Sequence, residues 1–116
     1  MPVAITQNLP ALRDSAKAAL EPAQPQEMAV FLELMQQTAA ALRWPALAQG
    51  AARIYVVALG DVPADLLALA LTRLQRDWKW ARMPSPADVR EAIADELGTR
   101  KLRLTRLRTV EIFGRR

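Results

Sequence analysis

Asp61, Asp65, Asp88 and Glu91 are the side chains best suited by type to acid–base chemistry. All four stand where helices are expected to begin, and there an acid is favourable against the helix dipole whatever else it does. The 116-residue chain contains no Cys and no His. Thiolate nucleophiles, disulfide frameworks and the usual zinc and haem ligands are therefore excluded together. Carboxylates alone are left to hold a metal, and no EF-hand spacing is present. No Ser sits in a nucleophile elbow or has a partner base, and no Gly-rich loop could cradle a phosphate. The expectation is a protein that is not an enzyme and takes no cofactor or metal.

The remaining chemistry is that of binding. The formal net charge of +4 divides as 0 over residues 1–60, −2 over 61–97 and +6 over 98–116. The last segment carries Arg100, Lys101, Arg103, Arg106, Arg108, Arg115 and Arg116 against one acid, Glu111. Such a run can neutralise phosphates in a salt-sensitive, sequence-independent way, can pair with an acidic protein surface, or can simply remain solvated. Leu102, Leu104 and Leu107 are interleaved with the charges and favour a partner with an apolar groove, which a pure phosphate-binding arm does not need. Trp78, Trp80 and Met83 form a second candidate contact. Two tryptophans two residues apart cannot share one buried face of a helix, so one is expected under the turn and the other partly exposed, where Trp is a common interface anchor.

The elements that position these groups are read from hydrophobic period and punctuation. Residues 1–10 show no clear periodicity, residues 10–20 suit a short helix, and "EPAQP" over 21–25 breaks it. The first 25 residues are thus expected as a flexible N-terminal arm. Met28, Phe31, Leu32, Met35, Ala39 and Leu42 make one buried stripe of a helix over 26–43, which Trp44-Pro45 is expected to stop. A second helix is expected over 47–59, weakened by Gly50, with Gly60 as a left-handed terminator. Asp61 is the expected cap of a third helix with Pro63 in its first turn, and Leu66, Leu67, Leu69, Ala70, Leu71 and Leu74 place that helix at the centre of the core. Ser85, Pro86 and Asp88 start a fourth, which carries Val89, Ala92, Ile93 and Leu97 inward and is closed by Gly98.

These starts and stops agree with one another and predict an all-α fold: a small bundle of about four helices over 26–98, between the arm (1–25) and a basic tail (99–116). The tail reads equally as an amphipathic strand or a helical stripe; without a partner strand, a helix or a disordered tail is the better expectation. An Ala- and Leu-rich composition poor in aromatics agrees with helices. No run approaches the roughly 20 apolar residues of a membrane span, and residues 1–20 lack a long apolar segment of the secretory kind. A soluble, cytoplasmic protein is expected.

The order of features resembles the folded region of the phage replicative-helicase loader/inhibitor family. The likeness rests on an aromatic residue, Tyr55, followed by "LGDVPADLLALAL" with Leu59, Asp61 and Pro63, then an Ala-rich helix with Ala68 and Ala70. It continues in "MPSPADVREAI" with Pro84, Ala87, Asp88, Val89 and Arg90. The resemblance covers about 45 residues and rests mostly on caps and core positions. It implies a small helical domain and a C-terminal segment that contacts a hexameric replicative helicase. The expected function is that of a non-enzymatic phage or prophage replication accessory protein, which binds the helicase and helps load or regulate it on DNA. The alternatives are a small DNA-binding transcriptional regulator or a phage inhibitor of a host protein. The N-terminal arm and the short, strongly basic tail depart from the family and leave DNA contact by the tail open.

Overall fold

The computed structural model describes residues 3–45, 47–48 and 50–114. Among them there are six α-helices and no strand: α1 (Val3–Ala18), α2 (Pro25–Ala41), α3 (Ala51–Ala58), α4 (Ala64–Asp77), α5 (Pro86–Ala92) and α6 (Ala94–Gly114). The all-α class is as expected, but six helices replace the expected four or so. The additions arise at the two ends. A helix occupies residues 3–18, and the last expected helix is divided into α5 and α6.

α4 lies at the centre, as its near-continuous apolar sequence requires. Leu66, Leu67, Ala70, Leu71 and Leu74 are all buried. They meet Met28, Phe31, Leu32, Met35 and Ala39 of α2, the stripe predicted from the 3.6-residue period. Tyr55, Leu59, Val62, Val89, Ile93 and Leu97 close the cluster from α3, α5 and the first turn of α6. Each fully buried aliphatic side chain contributes about 1.5–3 kcal/mol relative to exposure.

The helix boundaries depart from expectation in instructive ways. α2 is stopped two residues before Trp44-Pro45. Arg43 adopts left-handed geometry (φ 57°), and the N–H groups of Arg43 and Trp44 return to the carbonyls of Ala40 and Ala39 at 3.2 and 2.8 Å. This is the paired-bond terminator usually built on Gly. α3 begins only after Gly50, which takes φ 86°. Gly60 is not left-handed: a Cβ there would lie 3.1 Å from the carbonyl oxygen of Val56, so its lack of a side chain serves close approach. Asp61 does not cap α4. Pro63 holds the cap position with no side-chain bond to the helix, and Asp61 is paired elsewhere.

The expected cap of α5 is present in full. The Asp88 N–H donates to Ser85 Oγ at 3.2 Å, and the Ser85 N–H donates to the Asp88 carboxylate at 2.8 Å. Gly98, however, closes nothing. The break falls five residues earlier at Ile93 (φ −126°, ψ 16°), and α6 then runs through Gly98 to Gly114. Arg73 of α4 pins this break from both sides. Its guanidinium donates to the Ala92 carbonyl at 2.7 Å and pairs with Glu96 in the first turn of α6.

Released from the direction of α5, α6 projects beyond the bundle with α1 antiparallel along it. Arg100 meets Ala19 near the bundle, and Arg13 meets Glu111 toward the far tip. Ala16 and Leu104 are buried between the two helices. The result is elongated, 59 × 25 × 17 Å with a radius of gyration of 18.0 Å, against about 13 Å expected for a compact domain of this size.

Candidate partner-binding surface

The basic residues of the C-terminal segment do not act as one group. Arg100 is a structural latch. Its guanidinium donates to the Ala19 carbonyl at 2.7 Å and pairs bidentately with Asp65 in the first turn of α4. It thereby ties α1, α4 and α6 together, and its hydrogen bonds hold Asp65 below the usual carboxylate range. Lys101, Arg103, Arg106 and Arg108 are exposed. None of these four has a hydrogen-bond or ion-pair partner for its side chain among the described residues. Arg115 and Arg116 lie outside the described residues.

α6 sorts these groups by face. Leu104 is buried and Leu107 half-buried toward α1, while Leu102 is exposed. Of the three leucines expected to meet a partner's groove, only Leu102 is therefore on the outside. Val110, Ile112 and Phe113 add apolar surface beyond the contacts expected from the sequence. The signal was present, since each stands within a few residues of a basic residue of the same helix.

On the α1 side, Arg108 and Ile112 join Arg13, Asp14, Lys17 and Glu111 around an open groove of about 450 Å³. Arg13 is held there by both oxygens of Glu111, at 2.9 and 3.0 Å.

The turn between α4 and α5 divides its two tryptophans as their spacing requires. Trp78 is half-buried and packs on the core. Its indole N–H donates to the Arg82 carbonyl at 2.7 Å, and the Arg82 guanidinium lies 5.0 Å from its ring centre. Arg82 in turn pairs with Asp88 at 3.2 Å. Burial pushes the Asp88 carboxyl up, and the bonds from Ser85 and Arg82 outweigh it, leaving the group below its ordinary range. Trp80 is 55% exposed with Lys79 Nζ 5.7 Å from its ring centre. Met83, placed with the tryptophans as a contact residue, lies in the core, so it is not available as a surface contact.

Asp61, Asp65 and Asp88, at or near helix starts, have structural partners. Asp61 is held by both arms of Arg90 at 2.6 and 3.0 Å, which keeps it below the usual carboxylate range. Arg90 also donates to the Ala58 carbonyl at 3.1 Å. Glu91 is exposed. Among the described residues there is no cluster of three or more His, Cys, Asp or Glu able to hold a metal, and no helix is long and apolar enough to cross a membrane. The surface therefore offers an exposed indole on a braced turn and a cationic helix with apolar groups on its outer side. Both are suited to contact with a partner. No family model, curated protein or solved structure matches the chain.

Proposed function

We propose that the chain is a non-enzymatic replication accessory protein of a phage or prophage, which holds a replicative helicase and helps load or regulate it on DNA. The helical bundle is the scaffold, and α6 and Trp80 are the contacts. The observation that supports this reading is that Lys101, Arg103, Arg106 and Arg108 stand exposed on a helix projecting from the bundle. Exposed cations that make no hydrogen bond or ion pair among the described residues, on a helix held so firmly at its base, suit an external acidic partner. The resemblance of residues 55–97 to the helicase loader/inhibitor family supplies the identity of that partner.

The test is retention of the protein by a purified hexameric replicative helicase at low salt. Removing residues 99–116 would also remove the Arg100 latch and free α1, so charge reversal is the cleaner variant. Arg103→Glu with Arg106→Glu is expected to weaken retention by about tenfold or more while leaving the far-ultraviolet circular dichroism unchanged. Absence of any binding by the unaltered protein at micromolar concentration would overturn the proposal.

A transcriptional regulator reading α4 and α5 as a helix-turn-helix is the weaker alternative. The turn over 78–85 is long for that motif. α5 offers few side chains that could read bases beyond Arg90, which is committed to Asp61 and Ala58. Sequence-specific DNA binding without helicase would favour this alternative.

A further inference from the structure

α6 carries two seams. Leu97, Arg100, Leu104, Leu107 and Glu111 alternate by three and four residues and face the bundle and α1. Gly98, Leu102, Thr105, Thr109 and Ile112 alternate by four and three along a second line, all five exposed, which runs on the outside and ends at Ile112 on the rim of the groove beside α1. Such alternation is the spacing by which one helix packs on another.

The outer seam is more apolar than its residue types suggest. Thr105 Oγ donates to the Lys101 carbonyl at 3.0 Å, and Thr109 Oγ donates to the Thr105 carbonyl at 2.9 Å. Both hydroxyls are thus satisfied within the helix, which leaves their methyl groups for a neighbour. Leu102 is 49% exposed and Ile112 64%. Gly98 faces open space, with no atom within 4 Å of the point a Cβ would occupy, so another backbone can approach closely there.

The charges choose the occupant. In the positions that flank a helix-pairing seam stand Lys101 and Arg108 on one side and Arg106 on the other. No flanking position between 99 and 113 carries an acid. Two copies of this face would set like charges together in either orientation, so a second copy is disfavoured. A phosphate strand would gain from the cations but nothing from Leu102 and Ile112.

We infer that the outer face of α6 docks an amphipathic helix of another protein, one with an apolar seam flanked by Glu or Asp. This rests on the reading of the protein as a helicase-binding adaptor and specifies the chemistry of the surface it would meet.

The test uses the full-length chain and a designed helical peptide with Leu along its seam and Glu at every flanking position, followed by fluorescence anisotropy. A counterpart with Lys for each Glu, and single-stranded and duplex oligonucleotides, complete the set. The Glu peptide is expected to bind in the micromolar range and the Lys peptide not at all. The deciding variant is Leu102→Lys. It adds a positive charge but spoils the seam, so docking predicts binding weaker by about tenfold or more, the scale of losing an apolar anchor. Binding by charge alone predicts the opposite sign. Unchanged or tighter peptide binding by Leu102→Lys, absence of peptide binding, or oligonucleotides bound more tightly than the peptide would each overturn the inference. Undiminished helicase retention by Leu102→Lys would overturn the seam while leaving the adaptor function standing, whereas failure of the unaltered chain to retain helicase would remove that function and leave the peptide result to decide the seam.

Discussion

Tyr55 shows how one side chain can brace a whole region. Buried on α3, it donates its hydroxyl proton to the carbonyl of Pro84, which is itself buried at the end of the tryptophan turn. The bond ties α3 to the turn that presents Trp80. Burial, the largest influence, raises the phenol above its ordinary 10.0. Tyr55→Phe keeps the packing but leaves the Pro84 oxygen without this donor, so a loss of about 1–2 kcal/mol in urea unfolding is expected. Arg43 supplies a change in the other direction. It holds a left-handed conformation that Gly adopts freely, so Arg43→Gly is expected to stabilise by about 1 kcal/mol, measured in the same way.

Several residue roles were legible in the sequence because their signals are local. Ser85, Pro86 and Asp88 lie within four positions and announce a helix start. The separation of Trp78 from Trp80 followed from spacing alone. Asp61 with Arg90, Asp65 with Arg100 and Arg13 with Glu111 were not legible, since 29, 35 and 98 residues separate the partners. Nothing in a local pattern chooses among the chain's many acids and bases. The seven basic residues of the last segment therefore looked alike, although one of them is a latch.

At the scale of elements, the buried stripes of α2 and α4 were readable because the apolar period is unbroken there. The extent of α6 was not. A glycine ends a helix when it turns left-handed and its neighbours return bonds to the last turn, and neither occurs at Gly98. The break at Ile93 depends instead on burial of that residue and on Arg73 holding both flanks, which are tertiary facts. Gly98 is left as a helix-interior glycine in open space. Gly98→Ala is accordingly expected to raise stability by about 0.5–1 kcal/mol, read as a higher urea midpoint with unchanged slope. A fall in stability would show that α6 bends at this position.

For the whole molecule, acid is the natural probe of what holds the helices together. Asp61 and Asp65 are lowered chiefly by Arg90 and Arg100, and Glu96 chiefly by Arg73. A carboxylate whose folded-state pKa lies below its unfolded value contributes stability that is fully present above the unfolded value. That stability is lost as pH falls through the folded one. With ordinary values of 3.8 and 4.5 for these groups, stability is expected to be flat near neutrality and to decline progressively below about pH 4. Because the Asp65–Arg100 latch sits at the root of α1 and α6, hydrogen exchange in α1 is expected to rise with acid before exchange in α4 does.

The antiparallel course of α1 and α6 also decides how the protein answers to force. The start of α1 and the end of α6 lie at the same tip, remote from the bundle. Tension applied between them acts across the pair rather than along it, and so opens contacts one after another. Arg13 with Glu111 yields before Ala16 against Leu104, and the anchorage of Arg100 yields last. Unzipping of this kind yields at lower load than sliding two helices past one another, where all contacts resist together. A trace from an optical trap is therefore expected to show an early, low-force lengthening as α1 peels away. The bundle around α4 should yield in a separate, later event.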